Sequence, residues 1–142
     1  MAACLGVTVE VIGPAGFDLS DRALRRAGLD YLENVRIVRY AAFADFEAER
    51  RAGRRRLVLL TTAAPVPYTA FSFTADDRLM LGRESAGVPE EVHDAADARI
   101  AIPMQPGLRS LNVAVAAAMV LGEALRQTGG FAKLSRAGEG QP

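Results

Sequence analysis

The sequence predicts an α/β fold, a mainly parallel sheet with helices on both faces. Three observations predict it. Short apolar runs alternate along the chain with helical patterns, the order that strand–helix–strand units produce. One run, Leu57-Val58-Leu59-Leu60-Thr61, is almost wholly apolar, as a strand covered on both faces must be. The length of 142 residues suits a single core, and a composition half hydrophobic and 24% charged is that of an ordinary globular protein.

Val7-Thr8-Val9-Glu10-Val11-Ile12 alternates and predicts the first strand, ended by Gly13-Pro14-Ala15-Gly16. Ser20 or Asp21 can cap a short helix running to Ala27, with Gly28 as its stop. Val35-Arg36-Ile37-Val38-Arg39-Tyr40 predicts a second strand. A helix follows over Ala42 to Ala52, with Phe43, Phe46 and Ala48 towards the core and Gly53 closing it. After the strand at Leu57 comes a loop marked by Pro65 and Pro67, then another buried strand, Arg78-Leu79-Met80-Leu81-Gly82. Pro89 opens a helix whose Glu90 and Glu91 suit the positive end of the helix dipole. Ala98-Arg99-Ile100-Ala101-Ile102 is the last strand. Leu111 to Gln127 is a long helix stopped by Gly129-Gly130. Residues 1–130 are expected to form one domain, without an internal repeat, and residues 131–142 a loose, small and polar tail.

The segment Val113 to Leu121 is apolar all round and cannot face water on any side. A partner subunit is the simplest source of the layer that covers it; a locally deep core is the alternative.

Composition also excludes several classes of function. No apolar run is long enough to span a bilayer, and the N-terminus lacks the basic start and long apolar centre of a signal peptide, so a soluble, cytoplasmic protein is expected. Cys4 is the single cysteine and His93 the single histidine, which rules out an internal disulfide and any metal site built on several such ligands. His93, between the charged stretch's Glu91 and Asp94, reads as a surface residue. Net charge is zero, which opposes strong non-specific nucleic-acid binding. The cations are nevertheless clustered arginines: Arg22, Arg25 and Arg26, then Arg50, Arg51, Arg54, Arg55 and Arg56. Arginine suits bidentate phosphate contacts; the codon bias of a GC-rich genome explains the same preference.

Ligands in open α/β sheets bind at the carboxyl ends of strands. Three such ends are unusual here: Leu60-Thr61-Thr62, Gly82 to Pro89, and Ile102 to Ser110. None carries a glycine-rich phosphate loop, which disfavours dinucleotides and nucleoside triphosphates. A nucleoside without phosphates needs instead an apolar slot and exposed backbone groups. Gly82 and Gly87 permit close approach of the backbone, Ile102-Pro103-Met104 supplies an apolar wall, and Ser110 and Asn112 offer polar contacts at a helix start. S-adenosylmethionine fits that description. Taken singly, each glycine is more simply a turn, Glu84 an exposed charge and Ser110 a helix N-cap.

Together, Leu81-Gly82-Arg83-Glu84-Ser85-Ala86-Gly87-Val88-Pro89, Ile102-Pro103-Met104 and Arg109-Ser110-Leu111-Asn112 resemble the second and third motifs of the SPOUT superfamily, the α/β-knot RNA methyltransferases. With Leu24-Arg25-Arg26-Ala27-Gly28-Leu29-Asp30-Tyr31, the likeness is closest to the small tRNA 2′-O-methyltransferases of the wobble cytidine or uridine, and runs from about Gly6 to Gln127. The resemblance implies a C-terminal trefoil knot and a homodimer. It implies that Leu60, Gly82, Ile102 and Ser110 contact S-adenosylmethionine, largely through backbone, with Leu111 beside them. It makes Arg25, Arg26 and Tyr31 candidates for holding tRNA, by phosphate contact and stacking; a solvated helix face with one half-buried ring is the other reading. No metal is implied.

The chain departs from that family at its start. Members carry a first strand and an Asn-x-Gly-Asn-Ile-x-Arg segment, whose arginine is the usual candidate for activating the ribose hydroxyl. By register on Gly6 that arginine falls before Met1, so the catalytic residue is unknown from this sequence. A start codon placed too far downstream is the expected reason, a truncated copy the alternative. A smaller departure is Val113-Ala114-Val115-Ala116, apolar where members often carry Ser or Asn.

The expected function is therefore methyl transfer from S-adenosylmethionine to a tRNA ribose 2′-oxygen. The alternatives are a non-catalytic cofactor- or RNA-binding dimeric relic, a ribosomal RNA 2′-O-methyltransferase, and a flavodoxin-like domain that binds a partner protein.

Overall fold

A computed structural model of the chain describes residues 1–14, 34–82 and 87–137, with side chains to residue 134. The helix predicted from Ser20 or Asp21 to Ala27 lies outside these residues, as do Arg83 to Ala86 and the last five residues. The chain divides into two compact units, Met1–Ala52 and Gly53–Pro142.

The first unit opens with a short helix, α1 (Ala2–Leu5). Strand β1 (Val9–Ile12) pairs in parallel with β2 (Ile37–Tyr40), Val9 opposite Ile37 and Ile12 opposite Tyr40. Both strands were legible from their alternation. Helix α2 (Phe43–Ala52) follows. Its buried face is Phe46 and Arg50, and Phe46 packs edge-on against Tyr40 with ring centroids 5.5 Å apart. Ala48, expected in the core, is exposed. It lies about 200° around the helix from Phe46, while Arg50, four residues on, shares the Phe46 face. The aliphatic stem of Arg50 can line that face because its guanidinium pairs with Glu47 at 2.7 Å.

The second unit is a four-stranded parallel sheet in the order β4 (Val66–Pro67), β6 (Ala98–Ala101), β3 (Leu57–Leu60), β5 (Arg78–Leu81). β3 is flanked on both sides, and Leu57, Val58 and Leu59 are fully buried. Alternation along a strand points Val58 one way and Leu57 and Leu59 the other, so both faces of β3 are covered, as its sequence predicted. β5 is half-buried throughout rather than fully buried. β4 was expected to be loop. Proline cannot donate to a ladder and is confined to edge positions; here Val66 and Pro67 lie opposite Ile100 and Ala101 at the end of the strand order.

Two side-chain clamps fasten the sheet. The Arg56 guanidinium donates two bonds to Asp77, at 2.7 and 2.8 Å, and stacks over Phe71 at 5.1 Å. The Leu57 amide donates to the Asp97 carboxylate at 2.7 Å, and the Asp97 amide returns a bond to the Leu57 carbonyl.

After β5 comes helix α3 (Glu90–Ala95), and after β6 the long helix α4 (Val113–Thr128). Val120 of α4 joins Val58, Phe73 and Ile100 in one buried cluster, with Ala124 packed against it. Gln127 ties the far end of α4 down: its amide nitrogen donates to the Phe71 carbonyl and its oxygen accepts from the Phe73 amide, each at 2.9 Å. Gly129 ends α4 in the left-handed conformation. The residues after Gly130, expected to be loose, instead form a further helix, α5 (Gly130–Ala137). A helix break there changes the direction of the chain without ending its helical structure.

Candidate functional site

The carboxyl ends of β3, β5 and β6 lie on one edge of the sheet, because the parallel register sets Leu60 opposite both Leu81 and Ile100. At that edge the structure holds a cleft of about 570 Å³. This is within the range of small-molecule sites, roughly 300–1,000 Å³. Leu60, Gly82, Ile102, Ser110 and Leu111, the five residues assigned to the cofactor from the sequence, all line it. They come from four separate stretches of chain, and the fold brings them together. Arg25, Arg26 and Tyr31 lie outside the described residues.

The turn after β5 shapes one wall. Gly82 and Gly87 face each other so closely that a β-carbon on Gly82 would sit 2.6 Å from the Gly87 carbonyl carbon and 2.8 Å from its Cα. Gly87 itself has φ +65°, a conformation that residues with a β-carbon rarely adopt. The two glycines are thus required for different reasons, the first for contact and the second for backbone shape. The pinch sets Gly82 and Gly87 together in the cleft wall.

The turn after β3 forms the next wall. The Thr61 amide continues the ladder to the Ile100 carbonyl at 2.9 Å, and its hydroxyl accepts from the Ala63 amide at 3.3 Å. Ile102 and Met104 supply the apolar wall expected of the third stretch; Pro103 is exposed and does not line the cleft. Ser110, taken singly, read as the N-cap of this helix. Asn112 is the cap, its side-chain oxygen accepting from the Ala114 and Val115 amides at 2.9 and 3.3 Å. Ser110 lies two residues further out, too early in the chain to reach the first free amides of the helix. Ser110, next to Arg109 in the chain, lines the cleft.

Arg109 and His93 are among the lining residues that were not assigned to the cofactor from the sequence. Arg109 brings a positive charge to the cleft. His93, read as a surface residue, is half-buried on α3 and lines the cleft too. Its neighbours Glu91 and Asp94 are exposed, but successive helical residues point about 100° apart, so their charge says nothing of its direction. The available signal was that Pro89 sets the start of α3 directly after the glycine turn. The lining combines the apolar Leu60, Leu81, Val88, Ile102 and Leu111 with the polar Thr61, Thr62, His93, Arg109 and Ser110. Such a lining suits a neutral aromatic base with polar edges. Among the described residues, no three His, Cys, Asp or Glu side chains come together as metal ligands.

Known proteins resemble this chain in sequence and in fold. Residues 1–122 match the model of the SpoU rRNA Methylase family. A relative from Beijerinckia indica, named tRNA (cytidine(34)-2′-O)-methyltransferase, is 60% identical over 134 residues, which are 94% of this chain and 84% of the relative. A solved structure concerned with the 2-OH methylation of C/U34 on tRNA superposes with a TM-score of 0.80 at 38% identity, covering 89% of this chain and 82% of that one. The SpoU methyltransferase AviRb of Streptomyces viridochromogenes, solved in complex with AdoMet, superposes with a TM-score of 0.74 at 30% identity, covering 89% and 52%. The family match over residues 1–122 and this extent of likeness show that the chain belongs to the SpoU methylase family.

Proposed function

We infer that this protein transfers a methyl group from S-adenosylmethionine to the ribose 2′-oxygen of the wobble nucleotide, position 34, of a tRNA. The observation that carries the reading is the cleft at the sheet edge, where Leu60, Gly82, Ile102, Ser110 and Leu111 meet. The 60% identity to a tRNA (cytidine(34)-2′-O)-methyltransferase over nearly the whole chain supports the substrate. The complex of a family member with AdoMet supports the cofactor.

The cleft fits that cofactor on its own chemistry. Backbone at Leu60, Gly82 and Ile102 would hold the adenine edge, between apolar side chains that receive its faces. Ser110 and Leu111 would flank it. When bound, the group supplies a methyl already activated by a sulfonium, so no metal is needed for the transfer. A ribose hydroxyl is a weak nucleophile near neutral pH. The charge of Arg109 works in the right direction, favouring the alkoxide over the hydroxyl.

Three further elements belong to this reading. Arg25, Arg26 and Tyr31 hold the tRNA by phosphate contact and stacking. The protein is a homodimer, supported by the exposed apolar side chains Val115 and Met119 of α4 and Leu111 just before it. It works in the cytoplasm, where its substrate is; among the described residues no helix is long and apolar enough to cross a membrane.

The test is methyl transfer to tRNA transcripts carrying cytidine or uridine at position 34, followed by nuclease digestion and mass spectrometry. One 2′-O-methyl group at position 34 is expected. Methylation at another tRNA position, or of ribosomal RNA alone, would overturn the assignment.

A further inference from the structure

The chain leaves the cleft wall at Met104 and returns to it at Arg109. Between them Gln105-Pro106-Gly107-Leu108 makes a tight turn, all four residues exposed. The Leu108 amide donates to the Gln105 carbonyl at 3.3 Å, and Gly107 has φ +87°. Proline second, glycine third with positive φ, and a bond from the fourth residue to the first are the marks of a type II turn. The turn thus stands at the rim of the cleft, and proline and hydrogen bond fix its shape in advance.

This turn carries an unusual side chain. Leu108 is 68% exposed, more than any other large apolar residue that is described as exposed. A lone surface leucine needs no explanation. This one sits on a preformed turn between two residues of the site. Its surroundings in the chain suit a polyanion: from Ala98 to Gly122 there are two charged residues, Arg99 and Arg109, and no acid. Leu108 also precedes the start of α4 at Val113, so it does not belong to the helix whose outward face is given to a second copy.

The substrate has to pass this rim. With the target ribose seated at the cleft, the nucleotides on either side of it are held on the surrounding surface, because the RNA chain is continuous. Bases in single-stranded loops are bound unstacked and splayed out, and an apolar side chain such as leucine can fill the gap between two bases. We propose that Leu108, on its Pro-Gly turn, packs against the base of a nucleotide next to the methylated one and holds it out of the stack of the anticodon loop. The proposal rests on the methyl-transfer reading above and adds to it a contact that positions the RNA. A turn shaped before binding spares the ordering cost of a mobile loop.

The test uses the full chain and anticodon stem–loop RNAs carrying 2-aminopurine at position 33 or at position 35. This base analogue brightens when it leaves a stack. Brightening on binding to the parent protein is expected at one of the two positions. Leu108→Ala should bind that RNA about tenfold more weakly and lose most of the brightening, while Leu108→Met keeps both. Calorimetry with S-adenosylhomocysteine should give the parental affinity for both variants. Equal RNA affinity and fluorescence in parent and Leu108→Ala would overturn the proposal and leave the methyl-transfer reading standing. Weakened S-adenosylhomocysteine binding in Leu108→Ala would overturn it too, by showing that the turn serves the cofactor. A light-scattering mass that halves in Leu108→Asp would give the leucine to a second copy of the chain instead of RNA. No binding of either RNA by the parent would overturn the tRNA reading, and the proposal with it.

Discussion

At the scale of single residues the site depends on atoms that are missing as much as on those present. Gly82 has no β-carbon, and the space where one would sit is taken by the backbone of Gly87. Backbone cannot swing aside as a side-chain end can. Gly82→Ala should therefore push the two segments apart and spoil the slot they line, while the buried cluster of Val58, Phe73, Ile100 and Val120, away from the turn, keeps the fold. Calorimetry should show S-adenosylhomocysteine binding weakened at least about tenfold, or roughly 1.4 kcal/mol, with an unchanged far-ultraviolet circular dichroism spectrum. Affinity equal to that of the parent would show that the pinch does not shape the site. The glycines were legible in the sequence as a motif; that they touch was not. In the same way Ser110 read as the cap of the long helix, and only the start of α4 at Val113 makes Asn112 the cap instead.

At the scale of elements, legibility followed the number of faces that a segment buries. β3 declares itself, since a strand covered on both sides has room for little but apolar residues. β4 does not: two exposed residues, one a proline, carry no period to read. Its pairing with β6 exists because β6 offers a free edge there. α5 was missed because the glycines that end α4 also look like the end of all helical structure. The clamp that joins the start of β3 to the start of β5 was equally invisible, since Arg56 and Asp77 stand 21 positions apart. Burial acts to raise the Asp77 carboxyl, but hydrogen bonds from Arg56 and from the Thr74 amide and hydroxyl outweigh it and hold the carboxyl below its ordinary value. A carboxyl depressed in the folded state contributes stability that is present above its unfolded pKa and lost as pH falls through the folded one. The protein should therefore lose stability on acidification below about pH 4. Asp77→Asn should cost about 1–3 kcal/mol at neutral pH and flatten that acid dependence. Urea unfolding midpoints at neutral and acid pH measure both, and identical acid slopes in parent and variant would contradict this account of the clamp.

At the scale of the whole molecule, the open question is the outward face of α4. Val115 is 50% and Met119 38% exposed, and Leu111, which also lines the cleft, is 40% exposed. An apolar stripe of this kind in a water-facing position marks an interaction surface. With a second copy as the covering layer, Val115→Glu combined with Met119→Glu should convert a dimer into a folded monomer, read by light scattering after size exclusion. A parent protein that is already monomeric would refute the homodimer. The sequence predicted that this helix could not face water all round; the second unit alone covers only the side of Ala116 and Val120.

The class of fold, the principal strands, the family and five residues that line the cleft were legible in the sequence alone. These are properties of short segments, where period, turn chemistry and motif spacing act within a few residues of one another. The tertiary structure alone decided that Gly82 presses on Gly87, that Val66 and Pro67 join the sheet, that Asn112 caps α4, and that His93 stands in the cleft. Each of these depends on the register between segments distant in the chain or on the exact start of a helix, which a local pattern does not specify. Leu60, Gly82 and Ile102 become one site because parallel pairing aligns the carboxyl ends of three strands.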